Sequence, residues 1–271
     1  MRSVKIKEVI DALERFAPLP LQESYDNAGL QVGLTEAEVS GALLCLDVTE
    51  KVVEEAMQRG CNLIVAHHPL IFRKLSQVSD TDYVQRTVMK AIKNDIAIVA
   101  MHTNLDSAKN GVNFKIAEKL GLKNAHFFGR NKKVLSPLTG NTIIGGDGVI
   151  GEFEAPLAAD DLILLLKKKF DVECVQANEL LRREIRHVAI CGGSGSFLLR
   201  DAIGAGADAF ITGEMGYHEF FGHEQEIQIC VMGHYQSEQY TTEVLRDVIE
   251  HDTPGVKCCI SEINTNPIIY F

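Results

Sequence analysis

Histidines and carboxylates recur in this sequence at one kind of place, just after a short apolar run. His67 and His68 follow "NLIVA", and His102 with Asp106 follows "IAIVAM". Glu214 and His218 follow "DAFITG", and His234 with Glu238 follows "IQICVMG". Apolar runs of about five residues bounded by polar ones read as buried strands, so each cluster stands at a strand end. Alone, any of these histidines reads as a hydrogen-bonded surface or core residue. Four such clusters read together as a ligand set. Imidazole and carboxylate donors without thiolate suit Zn, Mn, Fe, Co or Ni and argue against an iron–sulfur cluster or Cu(I). About five protein donors leave two ions with open positions, which catalytic centres keep for water and substrate.

The adjacency of His67 and His68 has two readings. Neighbours on a regular strand point to opposite faces, so both cannot turn onto one ion from within a strand. They can serve two ions about 3.5 to 4 Å apart, the spacing of two-metal hydrolytic sites. The alternative is one ligand and one structural histidine. Pro69 ends the run and holds His68 to extended backbone angles.

The elements that must position these groups alternate along the chain. "GALLCLDVT" reads as a strand, "EKVVEEAMQRG" as a helix and "CNLIVAHH" as a strand. A helix over 82–94, the strand "IAIVAMH" and the helix "GVNFKIAEKLG" follow. Continuous apolar strands in βαβ order mark a parallel sheet covered on both faces. Residues 123–155 are Gly-rich and read as a meander or hairpin, followed by a helix over 157–170. The rhythm then returns with "HVAICGGSG", a helix, "DAFITGE", a helix near 217–224, "IQICVMGH", a helix over 239–250 and the strand "VKCCISEI". The two halves repeat one another: each has a third strand followed by His, three residues and an acid. The expected fold is α/β, with two similar domains of mostly parallel sheet arranged as an internal duplication. The first domain spans 1–125, with 239–271 returning to it, and the second spans 126–238. Ligands of open α/β sheets lie outside the carboxyl ends of the strands, where the four clusters fall.

Composition narrows the partners. A formal net charge of -10 over 271 residues argues against a nucleic-acid partner, whose phosphates call for clustered Lys and Arg. The basic run Lys167–Lys169 reads as a solvated helix end. The seven cysteines are scattered without C-x-x-C and read as reduced core residues. The first residues form an amphipathic helix pattern on Ile6, Val9, Ile10, Leu13 and Phe16, and no run of about 20 apolar residues occurs. A cytoplasmic protein without membrane contact is expected. Two loops carry turn chemistry. "DNAGLQVG" (26–33) reads as a packing loop or a substrate contact. "CGGSGS" (191–196) reads as a turn that could cradle a phosphate, although it lacks the lysine of a P-loop.

"DNAGLQVG", "AHHPLIF" (66–72), "HTNLD" (102–106), "ITGE" (211–214) and "GHYQSE" (233–238), in this order, resemble the NGG-interacting-factor-three-like family. Its bacterial members carry the name GTP cyclohydrolase 1 type 2 homologue. The resemblance implies a dinuclear metal centre in a cleft between two α/β domains and a toroidal homohexamer. It implies His67, His68, Asp106, His234 and Glu238 as ligands of two divalent ions, with Glu238 bridging. His102 is then a residue that orients a ligand or water, and His102, Glu214 and His218 are the candidates for acid–base catalysis. The segment before "DNAGL" usually carries Trp, where this chain has Tyr25, and the extra mid-chain domain of longer members has no counterpart here. The implied activity is hydrolysis of a nucleotide or related small molecule through a metal-activated water. The alternatives are a metal-delivery protein or a hexameric interaction scaffold.

Overall fold

The computed structural model describes residues 3–270, and among them the chain forms eleven strands. In chain order they are β1 (Gly29–Val32), β2 (Ala42–Cys45), β3 (Leu63–Ala66), β4 (Ala97–Ala100), β5 (Lys123–Leu135) and β6 (Thr142–Leu157). Then follow β7 (Gln176–Ala177), β8 (Ile185–Cys191), β9 (Ala209–Thr212), β10 (Gln228–Val231) and β11 (Cys258–Ile260). They form two sheets, ordered β1-β4-β3-β2-β11 and β5-β6-β8-β9-β10-β7.

The first sheet has a parallel centre, β11-β2-β3-β4, with β1 antiparallel at the edge. Every residue of β2, β3 and β4 is buried, as continuous apolar strands require. On one face Leu43, Cys45, Ile64, Ala66 and Ile98 pack with Val52, Val53 and Ala56 of the helix Glu50–Gln58 and with Val88 and Ala91 of Tyr83–Lys93. Thr49 and Asp82 cap these helices, accepting from Val52 N and Gln85 N. Helix Thr241–Asp252 packs on β2 and β11 and against Ile6–Phe16, whose buried residues include Ile6, Val9, Ile10 and Leu13.

The second sheet is parallel through β8-β9-β10, with β6 and β7 antiparallel on either side. The Gly-rich stretch is the long hairpin strands β5 and β6. Phe128, Ile150, Phe210 and Ile229 are centred in a core that also holds Leu198, Leu199 and Ala202. The chain is thus α/β with two sheets that share a parallel trio, β2-β3-β4 in the first, extended by β11, and β8-β9-β10 in the second. The repeat seen in the sequence is a repeat of this trio.

By contacts the chain divides at Leu105/Asp106 and returns to the first unit at Thr241. Helix Val112–Leu120 groups with the second unit, whereas the sequence reading counted it with the first. Its contacts with β8 and with the helix Ala159–Phe170 decide this. The hairpin segment 134–143 groups with the first unit. The helix expected near 217–224 is only a 3-10 turn, Tyr217–Phe220. Gly216 and Gly222 flank it, and Glu219 caps its start by accepting from Gly216 N at 2.6 Å.

"DNAGLQVG" holds β1, which pairs with β4 and was not anticipated as a strand. Gly33 ends it at φ +108°, and a Cβ there would stand 2.6 Å from the Ala97 backbone. Gly33→Ala should therefore lower the unfolding free energy by more than the roughly 1–3 kcal/mol typical of backbone strain alone. Gly60→Ala, also at positive φ but with open space around it, should cost less. Equilibrium unfolding of both variants checks the difference.

Candidate metal centre

His67 and His68 lie one and two residues past the end of β3, in a bend. Their backbone amides still bond the neighbouring chain, His67 N to Cys45 O at 3.2 Å and His68 N to Leu46 O at 2.9 Å. The pleat no longer holds there, so strand alternation does not send the rings to opposite faces. The two ring centroids are 4.9 Å apart, and each is 5.3 Å from that of His102. A ring nitrogen from each of the three lies within 4.8 Å of the others.

Each of these imidazoles is held from behind. His67 Nδ1 donates to the Met101 carbonyl at 2.8 Å, and a carbonyl can only accept, so the lone pair of His67 is at Nε2. His68 Nδ1 donates to Asp47 Oδ1 at 2.8 Å, and His102 Nδ1 to Asp26 Oδ1 at 2.7 Å. This is the arrangement that orients metal-bound histidine in proteins: Nδ1–H on an oxygen behind, Nε2 presented in front. The donor set fits a transition-metal ion.

The carboxylates behind the rings are themselves fixed. Burial alone would push the Asp26 carboxyl up. Hydrogen bonds from His102 and Thr103 and the charge of His102 overcome it, helped by Asn27 N, and hold Asp26 down at about 2. Its side chain is fully buried and also accepts from Thr103 N at 3.1 Å and from the Thr103 hydroxyl. Burial likewise works against Asp47, but the hydrogen bond and charge of His68, then the hydroxyl of Thr265, keep it below the usual carboxylate range. Thr265 Oγ1 donates to Asp47 Oδ2 at 2.6 Å.

In the second unit, His234 opens the helical turn His234–Glu238, with two residues between it and the end of β10. The i,i+4 spacing puts both side chains on one face, with His234 Nε2 and Glu238 Oε2 3.1 Å apart. His234 Nδ1 donates to Glu214 Oε1 at 2.9 Å, and Glu214 also accepts from the Ser194 hydroxyl. Glu238 is buried, and a carboxylate oxygen of Asp106 lies within 4.8 Å of one of its own. Gly193, at φ +58°, leaves the room that this carboxylate takes: a Cβ there would meet Glu238 Oε1 at 2.2 Å. The neighbouring Cys191 thiol is pushed up by burial and then by Asp106, Asp147 and Glu238, so it stays protonated. Burial pushes Cys230 up to about 12. All seven cysteines are free, and these two are core thiols.

The "CGGSGS" turn is no phosphate cradle, because its glycine amides are spent internally. Gly192 N donates to Asn113 Oδ1 at 2.8 Å, Gly193 N to Ser237 Oγ at 2.9 Å and Gly195 N to Thr212 Oγ1 at 3.2 Å. Glu214 positions His234. His218 lies on the exposed Tyr217–Phe220 turn, with ring contacts to Tyr217 and Phe221. Asp26 and Asp47 were missed. The signal was an acid immediately before "NAGL" and another immediately after the apolar run "LLCL". Asn27 Nδ2 donates to Ile71 O at 2.6 Å, and Ile71 N donates to Gln31 Oε1, so "DNAGLQVG" also grips the segment after the histidine pair. Tyr25 meets Phe72 edge-on, and Phe72 meets His102 edge-on.

Comparison with known proteins is consistent along the whole chain. The sequence profile of the Duf34/NIF3 (NGG1p interacting factor 3) family matches residues 4–267. A Clostridium perfringens protein named GTP cyclohydrolase 1 type 2 homolog is 35% identical over 236 residues, covering 87% of each chain. A Clostridium acetobutylicum protein of the same name is 31% identical over 249 residues, covering 92% of this chain and 90% of its own. The crystal structure of a hypothetical protein from Staphylococcus aureus superposes with a TM-score of 0.89 at 28% identity, over 100% of both chains.

Glu214 is exposed, so its removal should spare the fold while freeing the His234 ring. Glu214→Ala is expected to weaken transition-metal affinity roughly 10- to 100-fold, the usual cost of losing a group behind a ligand. Glu214→Gln keeps an acceptor at that position and should recover part of it. Competition with a chromogenic chelator measures both.

Proposed function

Because the chain belongs to the Duf34/NIF3 (NGG1p interacting factor 3) family, we propose that it is a metal-dependent hydrolase acting on a nucleotide or related small molecule. The observation that carries the proposal is the common treatment of the imidazoles. His67, His68, His102 and His234 each donate Nδ1–H to an oxygen. Ring nitrogens fixed in this way are built to present lone pairs. The names of the relatives support the choice of a nucleotide.

In this reading His67, His68, Asp106, His234 and Glu238 would hold two divalent ions. Such ions supply water activation and polarisation of the scissile bond. The residues around them do the rest. Asp47 and Glu214 hold His68 and His234 in the required tautomer. His102, backed by the ionised Asp26, can take up a proton at Nε2 from the attacking water and pass it on. An ionised carboxylate behind the ring stabilises the imidazolium that forms. His218, exposed on its turn, is the candidate for protonating the leaving group. A homohexamer is part of the same reading, and light scattering should return a hexameric mass.

Elemental analysis of metal-replete protein should find about two ions per chain. His68→Ala should lose one of them. His102→Ala should keep both yet lose roughly 10²- to 10⁴-fold in turnover, the range of a proton-transfer group. The activity itself is tested on a panel of nucleotides and phosphoesters, GTP included. Two tightly held ions with no turnover on any member would overturn hydrolysis and leave the ions as cargo.

A further inference from the structure

The 3-10 turn Tyr217–Phe220 and the residue after it expose an unusual amount of aromatic surface. Tyr217 is 74% exposed and Phe221 58% exposed. Both rings contact each other, with centroids 5.3 Å apart at 75°, and His218 stacks near Phe221 at 30°. Phe220 is half-buried against the core of the second unit and anchors the turn. A water-exposed ring gains nothing from its own hydration, so a cluster of them is explained by what covers it.

Beneath these rings is a cavity of about 410 Å³, lined by Gln176, Glu179, Tyr217, Phe220, Phe221 and Glu224 among others. It runs along β7, the edge strand of the sheet. Gln176 pairs with Val231, the last residue of β10, so one lining residue of the cavity stands at the carboxyl end of that strand. His234 leaves the sheet from that same end. The turn is tied to His234 a second way, since Glu214, three residues before Tyr217, holds its Nδ1. Three residues span at most about 11 Å.

We propose that this cavity is a nucleobase subsite that takes a guanine-type base, stacked on Tyr217 and Phe221 with its donor edge on a rim carboxylate. It rests on the nucleotide reading of the preceding section and deepens it. The rings supply flat apolar faces, which bind any base. The two acids at the rim supply only acceptors. Glu179 is engaged by Arg182 at 3.1 Å and Gln225 at 3.4 Å. Glu224 accepts from Gly222 N at a long 3.4 Å and is the carboxylate offered to a ligand. A carboxylate accepts best from two neighbouring N–H groups. Guanine presents N1–H and the 2-amino group side by side, whereas adenine and cytosine place a donor beside an acceptor on that edge.

The test uses metal-free full-length protein in chelator and the nucleosides guanosine, inosine, adenosine and uridine, followed by titration calorimetry or ligand-observed NMR. Guanosine should bind at least about tenfold more tightly than inosine, which lacks the 2-amino group, and than adenosine and uridine. Tyr217→Ala and Phe221→Ala should each weaken guanosine roughly tenfold or more. Glu224→Gln should erase the preference for guanosine over inosine while leaving the weaker, stacking-based binding. Equal binding of all four nucleosides, or no loss in Tyr217→Ala, overturns the subsite. A change of oligomeric mass in Tyr217→Ala without any nucleoside effect overturns it too, by assigning the rings to an interface between copies. Guanosine carries no phosphate and the protein no metal, so the outcome does not depend on hydrolysis. A chain that binds guanosine but turns over nothing refutes the hydrolase and keeps the subsite.

Discussion

Everything distinctive in this molecule depends on one kind of hydrogen bond, from an imidazole Nδ1–H to an oxygen behind it. A histidine at a strand end is free to rotate and to choose either tautomer. Here the choice is removed by the Met101 carbonyl and by Asp47, Asp26 and Glu214. Those acceptors must in turn be held. Asp26 is locked by Thr103 and Asn27, Asp47 by Thr265, and Glu214 by Ser194. The local sequence around each ligand is spent on this second layer, which explains why the loops carry Asp, Thr and Ser where turn propensity alone would accept many residues.

Burying acids such as Asp26 is unfavourable unless each is matched by donors. The fold provides them by bringing distant stretches to the same sheet edge. Asp26 meets His102 across a separation of 76 residues, and Asp47 meets Thr265 across 218. Such pairs are possible because the parallel trio β2, β3 and β4 ends all three strands on one side. The second unit uses β8, β9 and β10 in the same manner for Gly193, Glu214 and His234.

This division explains what could be read from the sequence. The parallel strands are legible because each is a continuous apolar run, and the His and carboxylate clusters because they follow those runs at a fixed spacing. The duplication was legible for the same reason: strand, His, three residues, acid is a local pattern. β1 was not legible, since four residues inside "DNAGLQVG" alternate too briefly to show a period. The tautomer-fixing acids were equally hidden, because Asp26 and Asp47 take their meaning from partners far along the chain. The turn at 217–220 was read as a helix from its composition, and the glycines on either side stopped it. Strand geometry does not govern His67 and His68, because β3 ends at Ala66, immediately before them. The phosphate reading of "CGGSGS" failed because glycine-rich turns look alike in sequence whether their amides face a ligand or their own neighbours.

The order of the units along the chain has a consequence for synthesis on the ribosome. The first sheet lacks β11 and the helix Thr241–Asp252 until residues 241–260 emerge, while the second unit lies almost wholly between. The exit of the chain therefore leaves β2 with an open edge for the whole time that residues 106–240 are being made. An open parallel edge of buried-type residues is a place where nascent chains pair wrongly or recruit chaperones. The second unit, interrupted before Tyr240 only by the segment 134–143, can mature first. β11 then closes the edge beside β2, and Thr265, five residues beyond it, sets Asp47 behind His68, so this part of the first imidazole cluster matures only after residues 106–240 have been made.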